Sequence, residues 1–335
     1  MKIIVDAFGG DNAPVEILKG CESAVNEYNV EIVLTGDEEK IKAATQKNGI
    51  SLNGMEIIPA PSVMDMEAAP TTILKENADT SMAVGLKALS EGKGDAFVSA
   101  GSTGALTVGA TFIVKRIKGI KRPAIGTVLP TDKGAALLMD CGANSECRAE
   151  MLHQFAIMGD AYMSAVFGIE RPRVGLVNIG TEETKGDELR LQAYELMKTE
   201  GKYNFIGNME ARELFLGGCD VAVADGFTGN VMLKISEGMA KFLLKNLKSA
   251  LTSNLKTKIG ALFVKKSVYG LKSKFDYKEY GGAMIFGVKK PVIKAHGSSD
   301  ARAIKNAIRQ ATECVKNDVV SRIQQELEKE REKND

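Results

Sequence analysis

The chain has 335 residues, 26% charged and 44% hydrophobic, with a formal net charge of +1. That is enough for one large or two modest globular domains, and no global field draws it to nucleic acid or membrane, so any such contact must be local. Five scattered cysteines (Cys21, Cys141, Cys147, Cys219, Cys314) give neither a disulfide framework nor a metal-ligand spacing. They point to a reducing cytoplasm, and no metal or cofactor is expected. With a lysine at position 2 and an aspartate at position 6, no signal peptide is expected at Met1, and no run approaches the roughly 18 apolar residues of a membrane span.

In chain order, a strand is expected over residues 2–5. It opens into Asp6-Ala7-Phe8-Gly9-Gly10-Asp11-Asn12-Ala13-Pro14, and a helix over 15–28 follows with Pro14 at its first turn. Gly9 and Gly10 make a tight turn, but this is not G-x-G-x-x-G, so no dinucleotide fingerprint is present. Asp6 and Asp11 read either as turn and cap residues or as acids that orient a ligand or a lysine. Strands over 31–35 and 55–60, a helix from 37, a proline-rich connection, a helix over 71–89 and a strand over 95–99 follow. This alternation predicts a three-layer α/β/α, doubly wound, mostly parallel sheet in a single domain, 1–335.

The strand at 95–99 runs into Gly101-Ser102-Thr103-Gly104 and a helix to about 118. A hairpin over 123–129 and 135–139 and a helix over 150–167 come next. The strand over 174–178 ends in Ile179-Gly180-Thr181-Glu182-Glu183-Thr184-Lys185-Gly186, where Lys185 reads as a phosphate clamp or as a solvated surface lysine. A short strand at 205–207 and a helical turn at 211–215 precede an apolar strand, 221–224. That strand ends in Asp225-Gly226-Phe227-Thr228-Gly229-Asn230, a second G-x-T-G before a helix. Two such turns, each after an apolar strand, predict a shared anion-binding crevice of helix-terminal N–H groups.

Residues 238–275 change character, with nine lysines and no acid. Leu243, Leu244, Leu247, Leu251 and Leu255 fall near helical spacing, so a bent pair of basic amphipathic helices is expected. It reads as a dimer-forming pair with a solvated lysine face, or as a docking surface for an acidic partner or anionic lipid through Lys256, Lys258, Leu262, Phe263, Lys265 and Lys266. No aromatic interleaving suggests nucleic acid. Strand and turn resume at 280–287. A strand over 292–295 then ends in His296-Gly297-Ser298, and a helix over 301–321 leads to a charged tail, 322–335, expected to fray. His296 reads as a general base or donor, or as a locally satisfied strand-end histidine.

Taken together, VDAFGGDNAP, SAGSTGAL, NIGTEETKG, ADGFTGNVMLK, YGGA and AHGSSDARA resemble the phosphate acyltransferase family of bacterial phospholipid synthesis, from Met1 to about Val319. The departure is Phe8, where that family more usually has methionine. The resemblance implies a fold related to isopropylmalate dehydrogenase and phosphotransacetylase, and a homodimer. It implies transfer of a long acyl chain from acyl carrier protein to inorganic phosphate. The acyl phosphate would pass to a membrane-bound glycerol-phosphate acyltransferase, with this chain at the membrane periphery.

The residues suit that chemistry. Phosphate is already a nucleophile and a thioester already carries a good leaving group, so no triad is needed, and no G-x-S-x-G elbow is present. The reaction needs phosphate held against the carbonyl and donors for the developing oxyanion. The glycine turns (Gly9, Gly10, Asp11; Gly101, Ser102, Thr103, Gly104; Gly226, Thr228, Gly229), with Thr181, Ser298 and Lys185, are the expected phosphate contacts. Asn230 is expected at the oxyanion, Asp225 as the group orienting Lys185 or Asn230, and His296 in the proton balance. Two other readings stay open: a phosphotransacetylase-like enzyme using acyl-coenzyme A, and a non-catalytic adaptor between carrier protein and membrane.

Overall fold

The computed structural model describes residues 1–274 and 281–331. Phe275, Tyr280 and residues 332–335, parts of the expected hairpin, strand and tail, lie outside the described residues. The elements are β1 Lys2–Asp6, α1 Val15–Tyr28, β2 Glu31–Gly36, α2 Glu38–Asn48, β3 Met55–Pro59, α3 Ser81–Ser90, β4 Ala96–Ser99 and α4 Thr103–Gly109. They continue with β5 Ala124–Thr131, β6 Gly134–Met139, α5 Ala149–Phe167, β7 Arg173–Asn178, α6 Glu188–Glu200, β8 Asn204–Glu210 and β9 Val221–Val223. The chain closes with α7 Gly226–Leu251, α8 Leu255–Lys274, β10 Ala283–Phe286, β11 Val292–Lys294, α9 Ala301–Lys316 and α10 Val319–Arg331.

The strands are buried on both faces, which is why they read as apolar runs. In β1, Ile3 and Val5 point into one cluster with Leu18, Phe155, Ile304 and Ile308, while Ile4 points into the other with Met82, Leu86 and Leu106. Helices therefore cover both sides of one sheet, giving the expected three-layer α/β/α architecture.

The strand order is β3-β2-β1-β4-β11-β10-β5-β6-β9-β7-β8. β3, β2, β1, β4 and β11 run parallel, and so do β6, β9, β7 and β8. Between these blocks the pairs β11–β10, β10–β5 and β5–β6 are antiparallel. Three reversals turn the second block against the first. The register then fixes where their carboxyl ends lie. β11 ends at Lys294, opposite Ala283, which lies opposite Thr127 of β5. From the other side, β6 ends at Met139, opposite Gly126 of the same strand. The carboxyl ends of both blocks meet at Gly126–Thr127, the middle of the sheet, and open a crevice there.

Four local expectations are corrected. The helix read over 71–89 is a 3₁₀ turn, Pro70–Leu74, and then α3. The chain breaks because Ser81 donates to the Ser62 carbonyl (2.9 Å) and Thr80 caps α3 by accepting from the Ala83 amide (3.4 Å). The helix expected to about residue 118 loosens after Gly109 into a π-helical turn and ends at Lys115, whose φ is 74°. α6 was not foreseen. The helix read over 301–321 breaks at Asp318, with φ 50°, and the expected fraying tail is α10 through Arg331. Burial of Ile323 and Leu327 in the cluster that includes Leu152 and Phe155 accounts for its order.

Asp140, directly after β6, shapes the crevice floor. It is fully buried and accepts from the amides of Ile125 (3.0 Å), Gly142 (3.1 Å), Ala143 (3.0 Å) and Asn144 (2.8 Å) and from the Asn144 side chain (2.8 Å). Asp140→Ala should cost about 3 kcal/mol, because several buried donors lose their acceptor together. The check is a lowered urea midpoint with an unchanged slope. An unmoved midpoint would show that the loop is held by other bonds.

Candidate active site

The crevice, about 340 Å³, is lined by Thr103 after β4, Ile125 and Thr127 on β5, Cys141 and Gly142 after β6, Asn230, Lys234 and Glu237 on α7, and Lys294, His296 and Ser299 at the end of β11. Two of the expected turns sit back to back beneath it. A Cβ on Gly9 would lie 2.6 Å from Asp6 Oδ2 and 2.7 Å from the Gly101 amide, so only glycine lets the first loop meet the second. Asp6 is buried there, accepting from Ser99 Oγ (2.7 Å) and the Phe8 amide (3.2 Å), and burial raises its carboxyl pKa. Asp11 donates its amide to the Gly297 carbonyl (2.8 Å), which ties the first loop to the turn carrying His296.

The third turn arrives through α7. A Cβ on Gly229 would lie 1.9 Å from the Asp140 carbonyl oxygen, so glycine is required for the first turn of α7 to rest on the loop after β6. That contact brings Asn230 beside Gly142 in the crevice. One turn on, Lys234 lines the same wall, 3.3 Å from Glu237.

The structure brings Thr103, Asn230 and His296 together in the lining. His296 Nδ1 accepts from the Ser298 amide (3.2 Å) and lies 2.9 Å from the Ser298 hydroxyl, and burial lowers its pKa. Ser102 is the cap of α4, accepting from the Ala105 amide at 3.4 Å. Gly104 packs against Pro70, and Gly226 donates to the Asn144 carbonyl at 2.7 Å.

Lys185 and Thr181 stand elsewhere, on the exposed loop between β7 and α6 and outside the lining residues. The Lys185 carbonyl accepts from Asn178 Nδ2 at 3.0 Å. Asp225 orients neither Lys185 nor Asn230 in the structure. It caps α7, accepting from the Thr228 amide (3.0 Å) and hydroxyl (2.7 Å), and it pairs with Arg190 of α6. Burial opposes its charge, but the Thr228 bonds and Arg190 outweigh it and hold its carboxyl below the usual value. Arg190 also donates to Thr228 Oγ1 (3.0 Å), so both polar groups of this turn are spent inside the protein.

Sequence reasoning missed Arg190, Lys234, Thr127, Ser299 and Lys294. Lys294 is the one lysine or arginine among the described residues that is buried. Its Nζ donates to the carbonyls of Ala100 (3.3 Å) and Ala295, and burial lowers its pKa to about 8 against the opposing pull of Asp11 and Asp6. The available signal was a cation inside the apolar run Val292-Ile293-Lys294-Ala295.

A second cavity, about 410 Å³, is almost wholly hydrocarbon. Leu129, Pro130 and Phe215 form one side, and a stripe of α7 through Leu233, Ala240, Leu243, Leu244 and Leu247 forms the other. Leu233 and Glu237 line both cavities, so the polar crevice and the apolar groove lie side by side along α7.

Comparison with known proteins identifies the family. A family model described as "Fatty acid synthesis protein" matches residues 1–322. A phosphate acyltransferase of Thermoanaerobacter pseudethanolicus is 48% identical over 329 residues, covering 98% of each chain. One from Listeria innocua is 48% identical over 332 residues, 98% of this chain and 97% of the other. This chain belongs to the phosphate acyltransferase family. It is an enzyme, and the adaptor reading is set aside. In solved structures the fold is shared with a phosphotransacetylase from Streptococcus pyogenes (TM-score 0.65, 18% identity, 94% of each chain). It is also shared with EutD phosphotransacetylase from Staphylococcus aureus (TM-score 0.61, 19% identity, 93% of this chain and 94% of the other). Among the described residues, no helix is long and apolar enough to cross a membrane.

The cap of α7 yields a test at this site. Asp225→Ala should cost about 1–2 kcal/mol near neutral pH. Because the folded carboxyl titrates below its usual value, its stabilisation is present above the ordinary carboxylate range and lost as pH falls through the folded value. Urea unfolding of both proteins at neutral and at acid pH should show the gap closing in acid. A gap of constant size would mean that the cap works without its charge.

Proposed function

We propose that the enzyme transfers a long fatty acyl chain from acyl carrier protein to inorganic phosphate, supplying acyl phosphate for phospholipid synthesis. The observation that carries this reading is the apolar groove lying beside the polar crevice, with Leu233 and Glu237 lining both. Acyl phosphate has the same two-part character. The groove stripe from Leu233 to Leu247 follows α7 for about 21 Å at 1.5 Å per residue. One leaflet of a bilayer, the span of one long acyl chain, is about 15 Å. An acetyl group would leave such a groove unfilled, which favours the long-chain donor over a short-chain phosphotransacetylase.

In this mechanism a phosphate oxygen attacks the thioester carbonyl, forming the C–O bond as the C–S bond breaks. Hydrogen phosphate gives up its proton, the departing thiolate gains one, and acyl phosphate and free carrier thiol result. Asn230, an uncharged donor on the crevice wall, meets the developing oxyanion. His296, whose charged form burial disfavours and whose Nδ1 accepts from the Ser298 amide, presents its Nε2–H as a hydrogen-bond donor to the departing sulfur, while the proton released by hydrogen phosphate ends on that sulfur.

The α7–α8 pair supplies the docking surfaces. Phe227, Val231, Ile235, Met239 and Phe242 leave an exposed apolar stripe on α7, a face suited to a second copy in a homodimer. On α8, Leu262 and Phe263 are exposed beside Lys256, Lys258, Lys265 and Lys266, a combination suited to an anionic lipid surface and to an acidic carrier protein. At the membrane periphery the product would pass directly to a membrane glycerol-phosphate acyltransferase.

Mass spectrometry of the protein with palmitoyl carrier protein and inorganic phosphate should show palmitoyl phosphate and free carrier thiol. Product from acyl-coenzyme A alone would transfer the reading to that donor. Ala240→Trp, which fills the groove midway, should lower the ratio of palmitoyl to octanoyl turnover by roughly tenfold or more. An unchanged ratio would remove the chain from this groove. Leu262→Asp with Phe263→Asp should abolish co-sedimentation with anionic vesicles, and retained binding would exclude α8 as the lipid contact.

A further inference from the structure

Adjacent strands place an unusual row of polar residues across the centre of an apolar sheet. Thr35 of β2 lies opposite Asp6, the residue after the Val5–Val98 pair of β1 and β4. Ser99 of β4 lies opposite Lys294, Lys294 opposite Ala283, and Ala283 opposite Thr127. The left of the row is satisfied internally. Thr35 donates to the Ser81 carbonyl (2.8 Å) and Ser99 to Asp6 (2.7 Å). The right is not.

Thr127 Oγ1 and Ser299 Oγ are buried, at 8% and 4% residue exposure; Ser299 has no hydrogen-bond partner, and Thr127 has none beyond the weakly accepting Cys141 sulfur near it. Both line the crevice, as does Lys294. Carbonyls take two of the three donors of the Lys294 ammonium. A buried hydroxyl without a partner costs stability, and two of them lining the same crevice as a buried cation suit an anion with several oxygens. α9 opens on the same space, since Ser299 precedes its cap Asp300 and Ala303 of its first turn lines the crevice.

We infer that the phosphate substrate is anchored by Lys294 Nζ together with the Thr127 and Ser299 hydroxyls. This deepens the acyl-transfer reading and rests on it for the identity of the anion. Two residues expected at the anion stand differently in the structure. Thr228 Oγ1 is shared between Asp225 and Arg190, and Lys185 stands outside the crevice. In this arrangement the three anchors reach the anion from β5, β11 and the turn before α9. Asn230 faces the same space from α7, where the carbonyl must enter, and His296 stands on the turn between Lys294 and Ser299.

The test is titration calorimetry with inorganic phosphate, paired with separate KM values for phosphate and for the acyl donor. Lys294→Met should weaken phosphate binding and raise its KM by about a hundredfold, as expected for losing a charged hydrogen bond, while the donor KM stays put. Thr127→Val and Ser299→Ala should each weaken phosphate by roughly two- to tenfold. Should Lys294→Met fail to fold, as judged by circular dichroism, the two hydroxyl variants decide alone. Wild-type phosphate affinity in these variants, or a donor KM that moves instead, would overturn the assignment. If phosphate binds in a Lys294-dependent manner and yet no donor yields acyl phosphate, the anchor stands and the acyl-transfer reading fails. If acyl phosphate forms and the variants keep the wild-type phosphate KM, the reverse holds.

Discussion

The structure depends on a reversal in the middle of its sheet. A purely parallel doubly wound sheet presents its strand ends along one edge, with the crevice where the order changes direction. Here β10 and β5 interpose antiparallel pairings, so β6, β9, β7 and β8 run against the first block. The crevice therefore lies near the middle of the sheet, with carboxyl ends arriving from both directions at Gly126 and Thr127. Every group in the lining follows from that register. Lys294 ends one block, Gly142 follows the end of the other, and Thr127 stands between them on the strand both halves share.

α7 sets an apolar groove beside this crevice. Its first turn is pinned to the sheet by Gly229 against Asp140 and by the Asp225 cap, where desolvation of charge is offset by Thr228 and Arg190. The same helix then runs on for 26 residues in all, past the sheet, with Leu233 at the polar end of the groove and Leu247 beyond it. One rigid element thus fixes the polar wall and the apolar wall in a single relation. The cost is exposure, because Phe227, Ile235 and Phe242 on its other face meet solvent in the single chain.

Much of the fold was legible because parallel strands buried on both faces leave continuous apolar runs, and the turns after them leave glycine. Breaks inside helices were harder. At Ser81 the break comes from a bond to Ser62, and the order of α10 comes from packing in the cluster that holds α5, both long-range facts. At the site, the motif turns were visible while the partners of their polar groups were not. The sequence placed Asp225 and Thr228 correctly at a strand end, yet Arg190, from a helix that was not foreseen, takes both. Lys294 and Thr127 escaped for a different reason. Each sits inside a strand, and only cross-strand register reveals that they belong to one row.

That row also explains why a site without a triad can be economical. An acyl thioester needs no activated serine, only a nucleophile brought to its carbonyl with charge stabilised in place. Holding a dianion in a low-dielectric crevice calls for a cation that water has not already satisfied, and burying a lysine achieves this at the expense of its own hydration. Asp6 and Asp11 moderate that expense by their pull on Lys294, and Asp6, itself buried, spends its hydrogen bonds on Ser99 and the first loop. The buried hydroxyls of Thr127 and Ser299 belong to the same logic, since donors held ready for a ligand destabilise the empty protein by what they later return. Asp140, with its five donors all satisfied, and the densely packed strands around it supply the stability against which this local deficit is held. Three buried acids and one buried lysine thus divide the work: Asp140 and Asp6 fix the loops, Asp225 caps α7, and Lys294 keeps one ammonium donor that no carbonyl takes.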